Sequence, residues 1–380
     1  MPLIIDSHAH IVVPPESSKF MGELISGRAN PYTVPKLSDD AVRKAGQSII
    51  DIMDKVGTDI QFLSPRPFMQ MHSVKPAKVT ALWTAHMNDL IFRTVQMFPK
   101  RFRAVAGLPQ FRDTSPVNCL AELEFRVKEQ GFIGCLLNPD PTEADGPPPP
   151  GLGDEFWYPL YEKLVEWDIP ALVHSAGSCS PRESYTLKFI NEESIAVISL
   201  IDSKVFERFP TLKLIIPHGG GAIPYHMGRF RAWTVRAGGE FFDDKLKRLH
   251  FDTTTYDKDA LELLFKVVGP DRVLFATEKL VVDLAPGLSP DPVTAAVLAA
   301  GFRLKGNSQA TESDDKRLSP LMTLLGKYWQ PLSLAALMGV AALLPAQLGQ
   351  PLFTLATLWG LWPVARKAWA LTRSGSPFAI

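Results

Sequence analysis

Two histidines stand one residue apart near the start of the chain, in the segment IIDSHAH at residues 4–10. The apolar run before them suits a buried strand, and alternate side chains of a strand point to the same face. His8 and His10 therefore project together, and two imidazoles on one face are suited to a transition metal. The alternative is a polar strand end with solvated or hydrogen-bonded imidazoles, and the rest of the chain must decide between the two.

Further polar side chains fall where other apolar runs end. They are Arg66, Asn138, His174, His218, Asp252 and Glu278. A single histidine at the end of a strand is more often structural. Here four of the eight histidines end apolar runs, together with two carboxylates, and a common site explains this better than coincidence.

The elements that would position these residues alternate between short apolar runs and longer amphipathic stretches. Strands are predicted at 3–10, 59–65, 103–109, 132–139, 169–176, 212–219, 249–255 and 273–278. Helices are predicted at 39–56, 83–98, 119–129, 156–167, 194–209 and 259–268. Buried strands separated by helices form parallel sheets. Eight of them predict an α/β fold of the (β/α)8 TIM-barrel type, whose active sites lie at the carboxyl ends of the strands.

Two long loops are predicted between these elements, at residues 20–37 and 142–155. The second contains four consecutive prolines, which cannot stand inside a helix and favour an extended chain. This proline-rich loop is either a surface excursion or a rim of the site.

The composition excludes several classes of function. The chain has 380 residues, with 40 basic and 40 acidic side chains, so no net charge points to nucleic acid as a partner. Three cysteines are too few for a disulfide framework or a cysteine-based zinc module. No basic segment followed by an apolar segment opens the chain, so no secretory signal is expected. We expect a cytoplasmic barrel that forms a homo-oligomer.

Several motifs resemble those of the amidohydrolase-related family of metal-dependent barrels. They are IDSHAH (5–10), LVHSAG (172–177), IIPHGGGAIPYHMGRFRAW (215–233) and VLFATE (273–278). The resemblance covers residues 1–279. Within the family it is closest to the group of 4-oxalomesaconate hydratases, so it implies a hydratase that acts on polycarboxylates in the degradation of aromatic compounds. A non-oxidative decarboxylase or a hydrolase on the same barrel is the alternative.

The resemblance implies one divalent metal, zinc by preference and manganese as the second choice. Its ligands would be His8, His10, His174 and Glu278. Decarboxylases of the family carry an aspartate at the last position, whereas the longer glutamate is typical of the hydratase group. Three neutral imidazoles and one carboxylate suit Zn²⁺ and leave room for a water molecule.

The resemblance also implies roles for residues outside the metal ligands. Glu278 would take a proton from water as well as bind the metal, and His218 would donate or orient a proton, unless it is a structural, hydrogen-bonded histidine. Arginine binds carboxylates through two parallel hydrogen bonds, so Arg66 and Arg229 are the main candidates to hold the substrate. Further candidate substrate contacts are Arg231, Asn138 and Tyr185. Tyr185 could equally be a loop aromatic that packs on the barrel rim.

The last part of the chain differs in composition from the barrel. Residues 318–380 contain no aspartate or glutamate. Two apolar runs, 330–344 and 351–365, predict a transmembrane hairpin within residues 329–380 that contacts a membrane through residues 330–365. A pair of buried core helices is the alternative. The final segment resembles the start of the membrane domain of zinc- or cadmium-exporting P-type ATPases, without the motifs that such an ATPase needs for activity.

Between the barrel and the tail, residues 280–306 resemble the end of a heavy-metal-associated domain, and residues 307–328 form a polar linker. The sequence therefore predicts that two unrelated fragments join near Lys279. The barrel, residues 1–279, would then be truncated after its eighth strand.

Overall fold

A computed structural model of the chain describes residues 3–30, 32–238 and 240–278, and isolated positions between 343 and 357. The chain divides into two compact units, Met1–Gly306 and Asn307–Ile380. All the strands described below belong to the first unit.

The first unit contains parallel strands that are short and largely buried. They are β1 (Ile5–His10), β2 (Ile60–Ser64), β3 (Phe102–Ala104), β4 (Ala106–Gly107), β5 (Cys135–Leu137), β6 (Ala171–Val173), β7 (Leu214–Ile216), β8 (His250–Asp252) and β9 (Val273–Leu274). They pair in chain order, β1 to β3 in one sheet and β4 to β9 in another. Each except β3 lies within one of the predicted strands. The run predicted at 103–109 contains β4 and all of β3 but its first residue, Phe102.

Backbone hydrogen bonds join the two sheets into a closed barrel. On one side, the Val105 N–H between β3 and β4 donates to the Leu63 carbonyl at 2.9 Å. On the other side, the Ser7 N–H of β1 donates to the Phe275 carbonyl just after β9, also at 2.9 Å. The first strand thus meets the last, and the predicted (β/α)8 barrel is confirmed.

The helices surround this barrel. They are α1 (Pro15–Ile25), α2 (Asp39–Val56), α3 (Ala77–Met97), α4 (Leu120–Gln130), α5 (Tyr158–Glu166), α6 (Tyr185–Ile201), α7 (Val205–Arg208), α8 (Met227–Ala237), α9 (Phe242–Leu246) and α10 (Lys258–Val268). The predicted bounds of α2 are confirmed at both ends. The Ser38 hydroxyl accepts the Ala41 N–H at its start, and Gly57 takes a left-handed conformation at its end.

Several predicted bounds were wrong, among them the end of the helix predicted at 194–209, which is divided into α6 and α7. The loop predicted at 20–37 begins inside α1, which has a proline at its first position, where proline is tolerated. Helix α3 begins at Ala77 rather than at residue 83. Helix α6 begins at Tyr185 rather than at residue 194, because the Ser184 side chain accepts the Leu187 N–H and caps it. No helix or strand is described between residues 142 and 154, as expected of the proline-rich loop.

The described barrel ends at Glu278. The predicted junction near Lys279 and the segments 280–306 and 307–328 lie outside the described residues. So does the predicted hairpin within 329–380, apart from the isolated positions between 343 and 357. Within the part of the chain that is described, no helix is both long and apolar enough to cross a membrane.

Candidate metal centre

Four side chains converge at the carboxyl ends of three strands. His8 and His10 come from β1, His174 directly follows β6, and Glu278 follows β9. One ligand atom from each lies within 4.8 Å of the others. Among the described residues this is the one such group of histidine, cysteine and acidic side chains.

Hydrogen bonds fix the same tautomer in all three imidazoles. His174 Nδ1 lies 2.6 Å from the Ser175 carbonyl, which can only accept, so Nδ1 carries the proton. His10 Nδ1 lies 2.9 Å from the Ser64 hydroxyl, whose own proton goes to the Ala9 carbonyl. The His10 Nδ1 must therefore also donate.

In His8 a carboxylate fixes the tautomer. Its Nδ1 donates to Asp252 Oδ2 at 2.7 Å, and both side chains are fully buried. Burial raises the pKa of Asp252, but the hydrogen bonds from His8 and Thr254 and the attraction to His8 and His218 together outweigh burial and keep the pKa below its ordinary value. Each Nε2 is left with a lone pair, and an imidazole held this way by a carboxylate or carbonyl is a typical metal ligand.

Glu278 presents its two oxygens to different neighbours. Oε1 lies 3.4 Å from His10 Nε2 and 3.7 Å from His174 Nε2, so it belongs to the ligand cluster. Oε2 accepts a hydrogen bond from the Tyr256 hydroxyl at 2.6 Å and lies 3.3 Å from His218 Nε2. Oε1 therefore faces the candidate ligands His10 and His174, whereas Oε2 faces Tyr256 and His218.

The donor set fits a divalent cation. The Nε2 atoms of His8 and His10 are 3.2 Å apart, and His174 Nε2 is buried without a hydrogen-bond partner. Burial lowers the pKa of His10 to about 4 and of His174 to about 3, so both imidazoles are neutral. Neutral lone pairs that converge beside a carboxylate gain from a metal cation, as in catalytic zinc sites.

Asp6 ties the strand that carries the histidines to the segment that carries Glu278. Its carboxylate accepts hydrogen bonds from the Gln61 amide at 2.8 Å, the His8 N–H at 3.1 Å and the Thr277 N–H at 3.2 Å. Burial raises the pKa of Asp6, and these hydrogen bonds oppose the rise. The bond to Thr277 fixes the residue next to Glu278 and so helps to place this ligand.

His218 lies beside the metal ligands and is held by a buried acid. Its Nδ1 lies 2.8 Å from Oε1 of Glu193, a residue of α6 that is fully buried. Burial lowers the pKa of His218, but the charge and hydrogen bond of Glu193, the hydrogen bond with Glu278 and the charge of Asp252 together outweigh burial and raise the pKa well above its ordinary value. Burial raises the pKa of Glu193 to about 7, against the opposing effect of His218.

The glycines after His218 allow close packing against the protein itself. Gly221 has a φ of +62°, and a Cβ there would lie 2.6 Å from the Ile190 carbonyl of α6. A Cβ on Gly220 would lie 2.7 Å from the Phe251 ring. These contacts fix the loop that carries His218.

The predicted arginines have different surroundings. Arg66 is half-buried near the site, and its positive charge acts on His10 and Tyr185. No hydrogen bond or ion pair within the described part of the chain engages its side chain. Arg229 is exposed on α8. Arg231 forms a bidentate ion pair with Asp243 at 2.8 and 2.6 Å, which joins α8 to α9.

Asn138 and Tyr185 also differ from each other. Asn138 is fully buried, with its amide 3.0 Å from His72 Nδ1 and its side-chain oxygen bound to the Asp140 N–H. Its polar atoms are therefore used inside the protein. Tyr185 is 49% exposed, and its ring packs edge-on against Phe189 at 4.5 Å. Burial and the charge of Glu278 raise the pKa of its hydroxyl to about 12, so it is protonated.

Four residues that support the site were not predicted from the sequence. They are Asp6, Ser64, Glu193 and Tyr256. Asp6 could have been found, since it alternates with His8 and His10 along β1 and so shares their face. The contacts of Glu193 and Tyr256 join residues 25 and 22 positions apart along the chain, and no local pattern indicates them.

Comparisons with known proteins match most of the chain. The family model described as amidohydrolase matches residues 5–302. A 2-keto-4-carboxy-3-hexenedioate hydratase from Sphingobium sp. (strain NBRC 103272 / SYK-6) is 38% identical over 299 residues, which cover 76% of this chain and 86% of the relative. A gamma-resorcylate decarboxylase from Polaromonas sp. is 28% identical over 215 residues, 50% of this chain and 64% of the relative.

Solved structures of related proteins give similar matches. A 4-oxalomesaconate hydratase from Rhodopseudomonas palustris superimposes with a TM-score of 0.67 at 31% identity, covering 85% of this chain and 92% of its own. A dihydroxybenzoic acid decarboxylase from Polaromonas sp. JS666, solved with bound manganese and an inhibitor, gives a TM-score of 0.60 at 21% identity, covering 80% of this chain and 95% of its own. At that identity the second likeness concerns the fold alone.

Proposed function

The chain belongs to the amidohydrolase family, and on this premise we propose that it is a metal-dependent hydratase, a lyase that adds water to 4-oxalomesaconate or a similar polycarboxylate. The observation that carries the proposal is the convergence of three Nδ1-protonated imidazoles and Glu278 Oε1, with His218 on the other oxygen of Glu278. The identity to a hydratase, 38%, exceeds the 28% to a decarboxylase and favours hydration.

His8, His10, His174 and Glu278 would hold the metal. When bound, a divalent metal acts as a Lewis acid and lowers the pKa of a water molecule. Zinc is the proposed ion because neutral imidazoles and a carboxylate suit it, with manganese as the alternative.

Hydration of a carbon–carbon double bond adds hydroxyl to one carbon and a proton to its neighbour. Oε2 of Glu278 would accept the proton that the water molecule releases. This is the oxygen that Tyr256 and His218 contact. His218 Nε2, 3.3 Å from that oxygen, is placed to deliver a proton to the neighbouring carbon. Transfer of the proton from Glu278 Oε2 to His218 Nε2, across the 3.3 Å between these atoms, then returns both residues to their starting protonation states.

Substrate carboxylates would be bound by cations around the site. Arg66 suits this role because its side chain has no acidic partner among the described residues and lies near His10 and Tyr185. Arg229 and Tyr185 are proposed as further contacts from the rim. Asn138 and Arg231 would act by shaping the site, because their polar atoms already bind His72, Asp140 and Asp243.

The test separates hydration from decarboxylation in one assay. Purified full-length chain with its metal is given 4-oxalomesaconate, and loss of the absorbance of the conjugated double bond is followed together with release of CO₂. We expect loss of absorbance, formation of a hydroxylated product and no CO₂. Release of CO₂ at the same rate would instead establish the decarboxylase, the reaction class of the second relative.

Two further proposals rest on the sequence alone. We propose that the barrel forms a homo-oligomer, which light scattering on the purified chain tests. We also propose that residues 330–365 contact a membrane, through the tail that resembles the start of a P-type ATPase membrane domain. An inactive product of a fusion near Lys279 is the alternative to the hydratase, and the assay above distinguishes them.

A further inference from the structure

One face of α6 is directed at His218. Tyr185, Phe189 and Glu193 are four residues apart, so they lie in one row along the helix. The Phe189 ring stacks on the His218 ring, with centroids 5.5 Å apart and planes at 7°. Tyr185 packs on Phe189 in turn. The row therefore forms a wall against one side of the imidazole.

Glu193, at the end of this row, contacts His218 through one oxygen only. Its Oε1 lies 2.8 Å from His218 Nδ1, whereas Oε2 is buried without any hydrogen-bond partner. A buried carboxylate with an unsatisfied oxygen destabilises a folded protein. We therefore expect Glu193 to serve the site rather than the stability of the fold.

The ring of His218 is contacted by Glu193 at Nδ1, by Glu278 at Nε2 and by Phe189 on its face. The rings of His174 and His8 also lie edge-on to it, with centroids 5.0 and 5.7 Å away. The backbone N–H of His218 donates to the Thr254 hydroxyl at 3.0 Å, and the residue has a φ of +49°. These features fix the main chain but not rotation of the ring. Since a carboxylate accepts only, the contact with Glu193 assigns a proton to Nδ1 and directs Nε2 towards Glu278.

We propose that Glu193 is a positioning residue for the hydratase reaction: it holds His218 by Nδ1, so that Nε2 faces Glu278 and the carbon to be protonated. Phe189 restricts the same ring from its face. The kinetic part of the proposal rests on the proposed hydratase function, whereas the orientation of the ring does not.

The kinetic test compares Glu193→Gln with Glu192→Gln. Glu192 is the adjacent residue of α6, and its carboxylate binds Lys188 at 3.1 Å instead of His218. We expect Glu193→Gln to lower kcat about 100-fold, with KM and metal content unchanged, and Glu192→Gln to leave kcat within about threefold. If Glu193→Gln does not fold, Glu193→Asp replaces it, and its shorter side chain should also lower kcat without changing metal content.

A double-mutant cycle with His218→Asn tests whether Glu193 acts through His218. We expect Glu193→Gln to cause no further loss of kcat in the His218→Asn background, because the residue it positions is gone. Equal losses in both backgrounds would mean that Glu193 has a separate, structural role and would overturn the proposal. Native activity in Glu193→Gln would overturn it as well.

A measurement without substrate separates this proposal from the proposed function. Nitrogen chemical shifts of ¹⁵N-labelled histidines report which ring nitrogen carries a proton, and the His218→Asn spectrum assigns the His218 signals. We expect the His218 Nδ1–H signal to move in Glu193→Gln and to stay in Glu192→Gln. An unchanged His218 signal in Glu193→Gln would overturn the proposal, even if the native chain hydrates 4-oxalomesaconate. A chain that shows the shift but hydrates nothing would contradict only the proposed function.

Discussion

Three imidazoles in this candidate metal site are each held at Nδ1 by a different acceptor. Asp252 fixes His8, Ser64 fixes His10 and the Ser175 carbonyl fixes His174. The acceptors determine the tautomer, and the tautomer determines which nitrogen can bind a metal. A metal site therefore depends on residues that never touch the metal.

Replacing Ser64 by alanine tests this dependence. The variant removes the acceptor of the His10 Nδ1–H, so the ring loses its fixed tautomer. We expect the dissociation constant for Zn²⁺ to rise about tenfold, measured by competition with a chelator. Ser48→Ala is the control, since its hydroxyl bonds only to the Ala45 carbonyl on an exposed part of α2. Equal affinities of the two variants would show that Ser64 does not support the ligand.

Tyr256 makes a similar contribution to Glu278. Its hydroxyl donates to Oε2 at 2.6 Å and leaves Oε1 facing the histidines. We expect Tyr256→Phe to weaken Zn²⁺ binding about tenfold, because the carboxylate can then rotate. The control is Tyr225→Phe, on a tyrosine that is 79% exposed and contacts the His226 ring. Unchanged metal affinity in Tyr256→Phe would contradict this role.

At the scale of single residues, local periodicity in the sequence predicts only part of the site. Alternation along a strand places His8 and His10 on one face, and the structure brings them together with His174 and Glu278. The same alternation indicates Asp6, which was missed. Glu193 and Tyr256 could not be found in this way, because their partners lie on other elements and depend on the closed barrel.

Among the elements, α6 depends on a buried ion pair for its position. Lys188 of α6 binds Asp140, in the segment after β5, at 2.7 Å, and both side chains are almost fully buried. Burial raises the pKa of Asp140, but the hydrogen bonds from Lys188 and Thr142 and the charge of Lys188 together outweigh burial and hold the pKa below its ordinary value. The pair thus fixes the helix that carries Phe189 and Glu193.

Removal of the lysine should destabilise the protein in a pH-dependent way. In Lys188→Met the charge of Asp140 is buried without its partner, so we expect a loss of about 3 kcal/mol in the free energy of unfolding at pH 7. A carboxylate with a lowered pKa stabilises the fold above its unfolded pKa, and this contribution is lost as the pH falls through the folded value. The difference in the free energy of unfolding between the native protein and Lys188→Met should therefore become smaller below about pH 4.

Urea unfolding between pH 7 and pH 3 measures that difference. Lys163→Met serves as the control, because Lys163 pairs with Glu166 at the surface. Its replacement should change the free energy of unfolding little at any pH. A Lys188→Met loss that stays constant with pH would show that lost packing, rather than the ion pair, causes it.

The elements themselves were predictable to different degrees. Helix α2 has a serine cap, a C-terminal glycine and a clear apolar stripe, and its bounds follow from the sequence. The start of α6 was missed because the capping Ser184 stands in the polar run SCSPRES, which looks like a loop. The break between β3 and β4 at Val105 is not indicated by any local pattern in the sequence.

For the whole molecule, the barrel holds every ligand of the proposed site within residues 8–278. The amidohydrolase match runs from residue 5 to residue 302 and so extends past Lys279, where the sequence predicts a junction. A tail beyond residue 318 is therefore not needed for the ligands, and its proposed contact with a membrane should be separable from metal binding.

Deleting residues 318–380 tests this separation. We expect the full chain to partition into the membrane fraction of lysed cells and the shortened chain to remain in the supernatant, each with about one metal ion. The apolar runs 330–344 and 351–365 provide the physical reason, since their burial in lipid is favourable. Identical partitioning of the two chains would contradict the membrane contact.

The most direct test of the central claim is to measure metal content and turnover of 4-oxalomesaconate on the same sample of purified chain, beside Glu278→Ala. The proposed function predicts about one divalent metal ion per native chain, and hydration that is lost in Glu278→Ala and on removal of the metal by a chelator. Hydration that persists without the metal, or in Glu278→Ala, would contradict it.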